Sequence, residues 1–359
     1  MQLHQILVSA TPSDAITNSV FELRKLLRQI GPSEIFARHV HPDLADEVIE
    51  LSKYFRVASH HPSDDVLLYH ASIGEPSVYE FITQRRERLV LVYHNIAPAA
   101  AFEPYDPAFA QLLTDGRHNL AALKDQVTMA LCDSEYNAAE LVALGYADVR
   151  VSRLIVDPRA LVDMASDEET TEHVNIAVEG PMALFVGQLL PHKRVDLLVE
   201  AFHILSTYLL PEANLVIAGS PRLPRFAAAF EQQIAELGLS RIRLTGAIPA
   251  RELRSLYQRA DLWVTASDHE GFLVPLLEAM SFEVPIVARG TAAIPETLGG
   301  AGLLLDPSDG PLMMAEAWCE VIDNESLRAD LIARGKSRLD DFTPESARVQ
   351  VLEHLASIL

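Results

Sequence analysis

Short apolar runs alternate along the chain with longer segments whose apolar positions recur three and four residues apart. The first kind reads as buried strands, the second as amphipathic helices. In the first half this pattern predicts strands at Gln5–Ala10, Glu34–Arg38, Asp65–His70, Leu89–His94 and Met129–Asp133. Helices are expected between them at Ala15–Ile30, Asp43–Tyr54, Pro76–Arg86, Asp106–Gln126 and Tyr136–Leu144. The second half repeats the theme, with strands at Ala183–Gly187, Asn214–Gly219, Arg241–Gly246, Leu262–Ser267, Pro285–Ala288 and Gly302–Leu305. Its helices are Val195–Tyr208, Arg222–Leu237, Ala250–Arg259, Val274–Phe282 and Pro311–Ile322, and Pro344–Leu359 reads as a final amphipathic helix. Strands with continuous apolar cores, alternating with helices, belong to parallel sheets covered on both faces.

The alternation breaks once, in Asp157–Gly180, where Ser166-Asp-Glu-Glu-Thr-Thr-Glu-His173 is polar and acidic with no apolar period. A linker is placed there. The expectation is an α/β chain of two doubly wound Rossmann-like domains, 1–160 and 161–340, followed by a C-terminal helix at 341–359 that is free to cross back to the first domain. A length of 359 residues fits about two domains.

Charge narrows the choice of partner. Lys plus Arg total 29 against 50 Asp plus Glu, a net charge of −21. Residues 1–160 carry 14 basic and 21 acidic residues (14 − 21 = −7), and 161–359 carry 15 and 29 (15 − 29 = −14). Neither half offers the clustered cations that general nucleic-acid binding needs. The one basic cluster, Arg85-Arg86-Glu87-Arg88, reads either as a solvated helix end or as a contact for a phosphorylated or lipid-linked acceptor. Cys132 and Cys319 sit in apolar surroundings and read as small buried residues, consistent with a reducing compartment. The N-terminus lacks a cationic start and long apolar core, and no stretch reaches the length of a membrane span. A cytoplasmic protein is expected, with at most peripheral contact at the inner face of a membrane. His39/His41 and His60/His61 lack metal-site spacing or Cys partners, and no Asp-x-Asp pair suits a nucleotide-bound divalent ion, so neither a metal nor a cofactor is expected.

Two segments carry candidate chemistry. In Leu184-Phe-Val-Gly187-Gln188-Leu-Leu-Pro-His-Lys193, a strand ends at a glycine that permits close approach of a ligand, and a lysine lies near the next helix start. An acid is the more usual residue there; a cation suits a bound diphosphate or is simply solvated. In Ala266-Ser-Asp-His-Glu270-Gly271-Phe272-Leu273-Val-Pro-Leu-Leu-Glu278, a strand runs through a turn into a helix, whose first amides form an anion site. Glu270 and Glu278 can accept hydrogen bonds from vicinal hydroxyls, or serve as a helix-start acid and an exposed helical acid.

The pairing of V-G-x-L-x-P-x-K with E-G-F-x-x-P-x-x-E-A-M resembles the family 4 retaining glycosyltransferases, which have the GT-B fold of two Rossmann-like domains facing across a cleft. The run Val284-Pro-Ile-Val-Ala-Arg-Gly-Thr-Ala-Ala-Ile-Pro-Glu, and the segments Tyr93-His-Asn-Ile-Ala-Pro98, Phe102-Glu-Pro-Tyr-Asp106 and Cys132-Asp-Ser-Glu-Tyr-Asn137, resemble its bacterial polysaccharide and O-antigen branch. The resemblance spans nearly the whole chain and is strongest over 182–306. It implies transfer of a hexose, mannose-type favoured, from a nucleotide diphosphate sugar such as GDP-mannose or a UDP-hexose to a hydroxyl of a glycan or lipid-linked acceptor. It implies retention, no metal, and a leaving phosphate oxygen that takes the acceptor proton. Lys193 matches the lysine on the donor diphosphate, Glu278 the acid on the ribose, and Glu270 the acid near the transferred sugar. Gly271, Phe272 and Leu273 match the turn whose amides meet sugar hydroxyls and phosphate, beside Gly187 and Gln188. Thr245, Gly246 and Ile248 fall at the nucleobase slot, and His94 at the histidine facing the transferred sugar.

The chain departs from the family pattern in three places. Gln188 stands where an arginine is usual, Leu273 where many members have glycine, and Ser9-Ala-Thr-Pro-Ser-Asp14-Ala-Ile-Thr-Asn18 replaces a Gly-Gly loop. Asp14 and Asn18 are candidate acceptor-hydroxyl binders, with helix capping as the alternative. These departures motivate a rival reading as a non-catalytic nucleotide-sugar or glycan-binding subunit. A GT-B sugar phosphorylase or disaccharide synthase is a second rival, since fold alone does not assign function.

Overall fold

The computed structural model describes residues 1–12, 14–58, 64–164 and 179–359. Ser13, the His60/His61 pair and most of the expected linker lie outside the described residues. The described chain forms two compact units. The first comprises Met1–Ala100, Pro107–Val156 and Thr343–Leu359, the second Ala101–Asp106 and Asp157–Phe342. Unlike the sequence-based division, the short segment Ala101–Asp106 groups with the second unit. Its aromatic residues explain why: Phe102 meets the His192 ring at 5.4 Å and Tyr105 meets Phe226 edge-on at 5.0 Å.

Among the described residues the first unit holds β1 (Leu3–Ala10), β2 (Ile35–Val40), β3 (Ile49–Glu50), β4 (Val66–Ala71), β5 (Arg88–Tyr93), β6 (Val127–Cys132) and β7 (Val149–Val151). They form one parallel sheet in the order β3-β2-β1-β4-β5-β6-β7. Its helices include α1 (Ala15–Leu27), α2 (Pro76–Thr83), α3 (Pro107–Leu123) and α4 (Glu135–Leu144). The second unit repeats the arrangement with β8 (Met182–Val186), β9 (Asn214–Ala218), β10 (Ile242–Gly246), β11 (Leu262–Thr265), β12 (Ile286–Arg289) and β13 (Leu303–Leu305), ordered β10-β9-β8-β11-β12-β13. Its helices include α5 (Val195–Ile204), α6 (Pro224–Glu236), α7 (Ala250–Arg259), α8 (Val274–Ser281), α9 (Ile294–Leu298), α10 (Pro311–Asp323) and α11 (Glu325–Leu339). Both orders reverse direction at one point, between β1 and β4 and between β8 and β11. Open α/β sheets bind ligands beyond the carboxyl ends of the strands flanking such a reversal.

Most predicted elements form, and the differences have local causes. The helix expected at Asp43–Tyr54 is replaced by a 3-10 turn at Pro42–Leu44, the edge strand β3 and a second 3-10 turn at Leu51–Arg56. Ile49 pairs with Phe36, and buried Tyr54 packs edge-on against Phe36 and Phe81. A helix there would forfeit these sheet and ring contacts. The helix expected to run to Tyr208 ends at Ile204 and continues as a π turn, Leu205–Leu209. The pattern also leaves unassigned β7, α9 and α11, although Asn324 caps α11 by accepting from the Leu327 amide at 3.0 Å. Of the two cysteines, Cys132 is buried and Cys319 only partly so.

The last helix, α12 (Pro344–Ala356), belongs to the first unit. Ala347, Val351 and Leu355 enter the core formed by Leu3, Leu27, Leu68, Val90 and Met129. Arg348 pairs with Glu22 at 2.9 Å, and His354 Nε2 meets the Val151 carbonyl at 2.9 Å. Arg88 donates to the Ile358 carbonyl and to that of Asp64, while Arg85 lies over the Phe81 and Phe55 rings at 4.4 and 4.7 Å. Two cations of the Arg85–Arg88 cluster are thus structural. Leu355 is fully buried, so Leu355→Ala is expected to destabilise the first unit by about 3 kcal/mol. Denaturant unfolding followed by a probe in that unit checks this; a change below about 1 kcal/mol would show the helix to be dispensable to the core.

Candidate functional site

In the second unit, the two loops singled out by sequence leave the sheet at β8 and β11, the strands flanking the reversal. After β8 the chain passes through Gly187 and Gln188 and closes a 3-10 turn, Pro191–Lys193. The Gly187 and Leu189 amides donate to the Ala218 and Ser220 carbonyls, at 2.9 and 3.0 Å. This zips the loop after β8 to the loop after β9. A Cβ on Gly219 would stand 1.8 Å from the Gly187 carbonyl oxygen, so only glycine allows this approach.

Lys193 Nζ meets both carboxylate oxygens of Glu270, at 2.6 and 2.7 Å. Their side chains are 16% and 7% exposed. The pair joins the two loops, and the Asp268 amide reinforces the junction by donating to the His192 carbonyl at 2.8 Å. His192 itself is pushed well below its ordinary value, by burial first and then by Lys193.

The turn after Glu270 is held from its carbonyl side. Thr297 donates to the Phe272 carbonyl at 2.7 Å and the Ala293 amide to the Glu270 carbonyl at 3.2 Å. The Gly271, Phe272 and Leu273 amides donate to no other described residue. They precede α8 and retain the hydrogen-bonding capacity of a helix start. Leu273 has a left-handed backbone, φ 74°, ψ 68°. A residue with a Cβ pays on the order of 1 kcal/mol for that conformation, which gives a physical reason for glycine at this place in the resembled family. Arg289 fixes the strand end from below, reaching the Ala266 carbonyl at 3.2 Å and Asp268 at 2.6 Å; Arg194 takes the other Asp268 oxygen at 3.2 Å.

Glu278 lies on α8. Tyr257 of α7 donates to its Oε2 at 2.8 Å and stacks on Phe282 at 5.1 Å. Burial raises the Glu278 carboxyl above its ordinary range, and the Tyr257 hydrogen bond opposes this. One carboxylate oxygen is thereby anchored while the other makes no described hydrogen bond. Thr245, Gly246 and Ile248, at the end of β10 and just beyond it, are partly exposed. Gly246 forms a bridge with Gly219, so the nucleobase candidates adjoin the zipped loops.

In the first unit, Asp14 caps α1, accepting from the Thr17 amide at 2.9 Å and the Thr17 hydroxyl at 3.0 Å. One of its oxygens is therefore committed to the helix, while Asn18 is exposed. His94 follows β5 and has both ring nitrogens engaged. Nδ1 meets Asp133 Oδ2 at 2.9 Å and Nε2 meets His70 Nδ1 at 2.8 Å. A direct hydrogen bond from His94 to a sugar needs one of these to open. Sequence reasoning missed His70, Asp133, Tyr257 and Arg289. Each acts through a neighbour distant in sequence: strand register brings His70 and Asp133 to His94, and the packing of α7 beside α8 brings Tyr257 to Glu278. Among the described residues no three His, Cys, Asp or Glu side chains gather as a metal site, and no helix is long and apolar enough to cross a membrane.

A nearly buried ion pair is costly to break from one side only. Lys193→Met is expected to lower the unfolding free energy by about 3 kcal/mol, and adding Glu270→Gln to recover part of that loss. Denaturant unfolding of the two single variants and the double variant measures the coupling; strictly additive losses would show that the pair contributes nothing jointly.

Residues 166–338 match the family described as glycosyl transferases group 1. The chain is 26% identical over 291 residues to the O-antigen chain mannosyltransferase B of Escherichia coli, covering 79% of this chain and 73% of that one. It is 28% identical over 219 residues to a D-inositol 3-phosphate glycosyltransferase of Corynebacterium efficiens, covering 57% of this chain and 51% of that one, about half of that relative's length. Among solved structures, Anabaena HepE, crystallised with UDP and glucose, superposes with a TM-score of 0.77 at 17% identity over 99% of this chain and 100% of that one. WaaG, a glycosyltransferase involved in lipopolysaccharide biosynthesis, superposes with a TM-score of 0.72 at 15% identity, covering 96% and 98%. These structures show a shared two-unit α/β fold of the GT-B kind. Residues 166–338, just under half of the chain, match the glycosyl transferases group 1 family, and together with these relatives they mark the chain as a glycosyltransferase.

Proposed function

We propose that this chain moves a hexose, mannose-type favoured, from a nucleotide diphosphate sugar to a hydroxyl of a glycan or lipid-linked acceptor, with retention at the anomeric carbon. The observation that carries this reading is one constellation in the second unit: an ammonium (Lys193), helix-start amides without a partner among the described residues (Gly271–Leu273) and a half-anchored carboxylate (Glu278). The likeness to an O-antigen mannosyltransferase supports the mannose-type sugar, and HepE, solved with UDP and glucose, supports a nucleotide donor.

In this reading Lys193 exchanges Glu270 for the pyrophosphate, and the freed Glu270 accepts hydrogen bonds from the sugar. Glu278 takes the ribose hydroxyls through its open oxygen. Thr245, Gly246 and Ile248 border the base, while the first unit, with Asp14 and Asn18, meets the acceptor. The bond from the anomeric carbon to the phosphate oxygen breaks, the acceptor oxygen bonds to that carbon, and its proton passes to the departing phosphate oxygen. Charge on that oxygen is stabilised by fixed dipoles and the ammonium. The Gln188 amide donates a hydrogen bond where an arginine is usual, at a smaller electrostatic gain.

Glu278→Ala is expected to remove a charge-assisted contact of about 1.5–3 kcal/mol, roughly 10–150-fold in donor affinity or turnover. Steady-state kinetics with GDP-mannose and UDP-hexoses reads this, and wild-type-like kinetics would refute the assignment. A thermal-shift panel of UDP, GDP and ADP identifies the base, since a ligand at about 100 times its dissociation constant stabilises by about 2.7 kcal/mol. Activity is expected to survive EDTA; complete loss restored by Mg²⁺ would contradict a metal-free reaction.

Acidity supplies a further test. Because burial raises the Glu278 carboxyl, nucleotide affinity should fall on the acid side at a higher pH than an exposed glutamate would set. Tyr257→Phe keeps the ring stack but removes the opposing hydrogen bond, so it should move that fall to still higher pH. Calorimetric affinity against pH checks both; an unmoved profile would separate Tyr257 from the carboxylate.

A further inference from the structure

The first unit contains a buried hydrogen-bonded chain, Asp133–His94–His70–Gln5, that the proposed reaction does not explain. Its members come from four adjacent parallel strands or their ends. The register pairs Gln5 with Leu68, two residues before His70, and His70 with Val92, two residues before His94; Tyr93 pairs with Cys132, one residue before each of His94 and Asp133. Side chains alternate along a strand, so all four groups fall on one face and step towards the carboxyl ends of the sheet. All four residues are buried.

The hydrogen count follows from the acceptors at each end. The Asp133 carboxylate faces His94 Nδ1 at 2.9 Å, and that nitrogen carries a hydrogen. At the other end, Gln5 turns its amide nitrogen to the Val20 carbonyl at 3.2 Å, so its Oε1, 3.0 Å from His70 Nε2, can only accept. His70 Nε2 therefore carries a hydrogen too. Between the rings, His94 Nε2 and His70 Nδ1 lie 2.8 Å apart. The ring planes differ by 8° with centroids 5.1 Å apart, an edge-to-edge approach in nearly one plane that a shared N–H···N bond requires. That bond needs a third hydrogen, and two neutral imidazoles supply two.

We infer that the His70–His94 pair holds one proton more than two neutral imidazoles, with His94 as an imidazolium clamped by Asp133, and that His70 and Asp133 are positioning residues for His94. Burial, and secondarily His94, holds His70 well below its ordinary value, which favours the charge on His94. Tyr69, beside His70 on β4, is buried and its hydroxyl is held neutral, and the ionisable groups around β5 and β6 are engaged elsewhere. Tyr93 donates to Glu140 at 2.5 Å, Arg117 binds Glu140 and the Ile96 carbonyl, and burial keeps the Cys132 thiol neutral. The proton count stands on geometry alone; its use, holding a positively charged ring at the strand ends, rests on the transferase reading.

The test is nitrogen NMR of the whole chain, uniformly unlabelled except for [¹⁵N]histidine, titrated without nucleotide. Two buried imidazole rings should lose one proton in a single shared step as pH rises, with the nitrogen shifts of both moving together. Asp133→Asn should bring that step down by about 1–3 pH units, since it removes the neighbouring anion. Gln5→Leu removes the obligate acceptor and should lower it as well, giving a second reading should Asp133→Asn fail to fold. Two neutral rings across the whole folded range, or a step untouched in both variants, would overturn the inference. In turnover, Asp133→Asn should lower kcat more than it raises donor KM, with the alkaline limb of kcat moved down by the same interval. Persistence of the NMR step in a chain that transfers no sugar would support the proton count and count against the transferase reading.

Discussion

The ion pair between Lys193 and Glu270 is the constraint on which the proposed site depends. It joins the loops after β8 and β11, the two strands at which the second sheet reverses. Without a ligand, each charge satisfies the other in a poorly hydrated place. An anion that reaches Lys193 must replace a bidentate carboxylate, and the displaced carboxylate then needs hydroxyl donors. A sugar linked to a pyrophosphate offers both at once, whereas a bare phosphate offers only the first. The pair braces the two loops, and in the proposed reading it is also a filter for ligand chemistry.

The rest of the second unit serves that arrangement. Backbone contact between Gly187 and Gly219 fixes the first loop without side chains in the way. Arg289 and Arg194 pin Asp268, and Thr297 and Ala293 occupy carbonyls of the Glu270–Leu273 turn, whose Gly271–Leu273 amides have no partner among the described residues. The left-handed Leu273 is strain retained at the mouth of α8. The first unit reuses the same sheet order for another purpose, stacking polar groups diagonally across β1, β4, β5 and β6.

The sequence made the doubly wound pattern legible because buried parallel strands are near-continuous apolar runs, such as Leu89–Tyr93 and Met182–Val186. It failed where tertiary contact overrode local period, as at Val48–Tyr54, whose apolar spacing suits a helix but whose rings and edge strand pack on β2. Lys193, Glu270 and Glu278 were visible as motif residues, since spacing along a strand–turn–helix is local. That Lys193 and Glu270 grip each other was not, because they lie 77 residues apart. Asp14 shows the opposite limit: its polar character suited either a ligand or a helix cap, and one of its carboxylate oxygens caps α1. His94 was singled out by motif, whereas its partners His70 and Asp133 carry none and become its neighbours only through strand register.

The most direct measurement of the central claim is a crystal structure of the chain with an intact nucleotide diphosphate sugar. The account predicts pyrophosphate oxygens within about 2.7–3.2 Å of Lys193 Nζ and of an amide in Gly271–Leu273, with Glu270 turned from the lysine to a sugar hydroxyl. A donor bound elsewhere, or one bound while the Lys193–Glu270 pair stays closed, would contradict it.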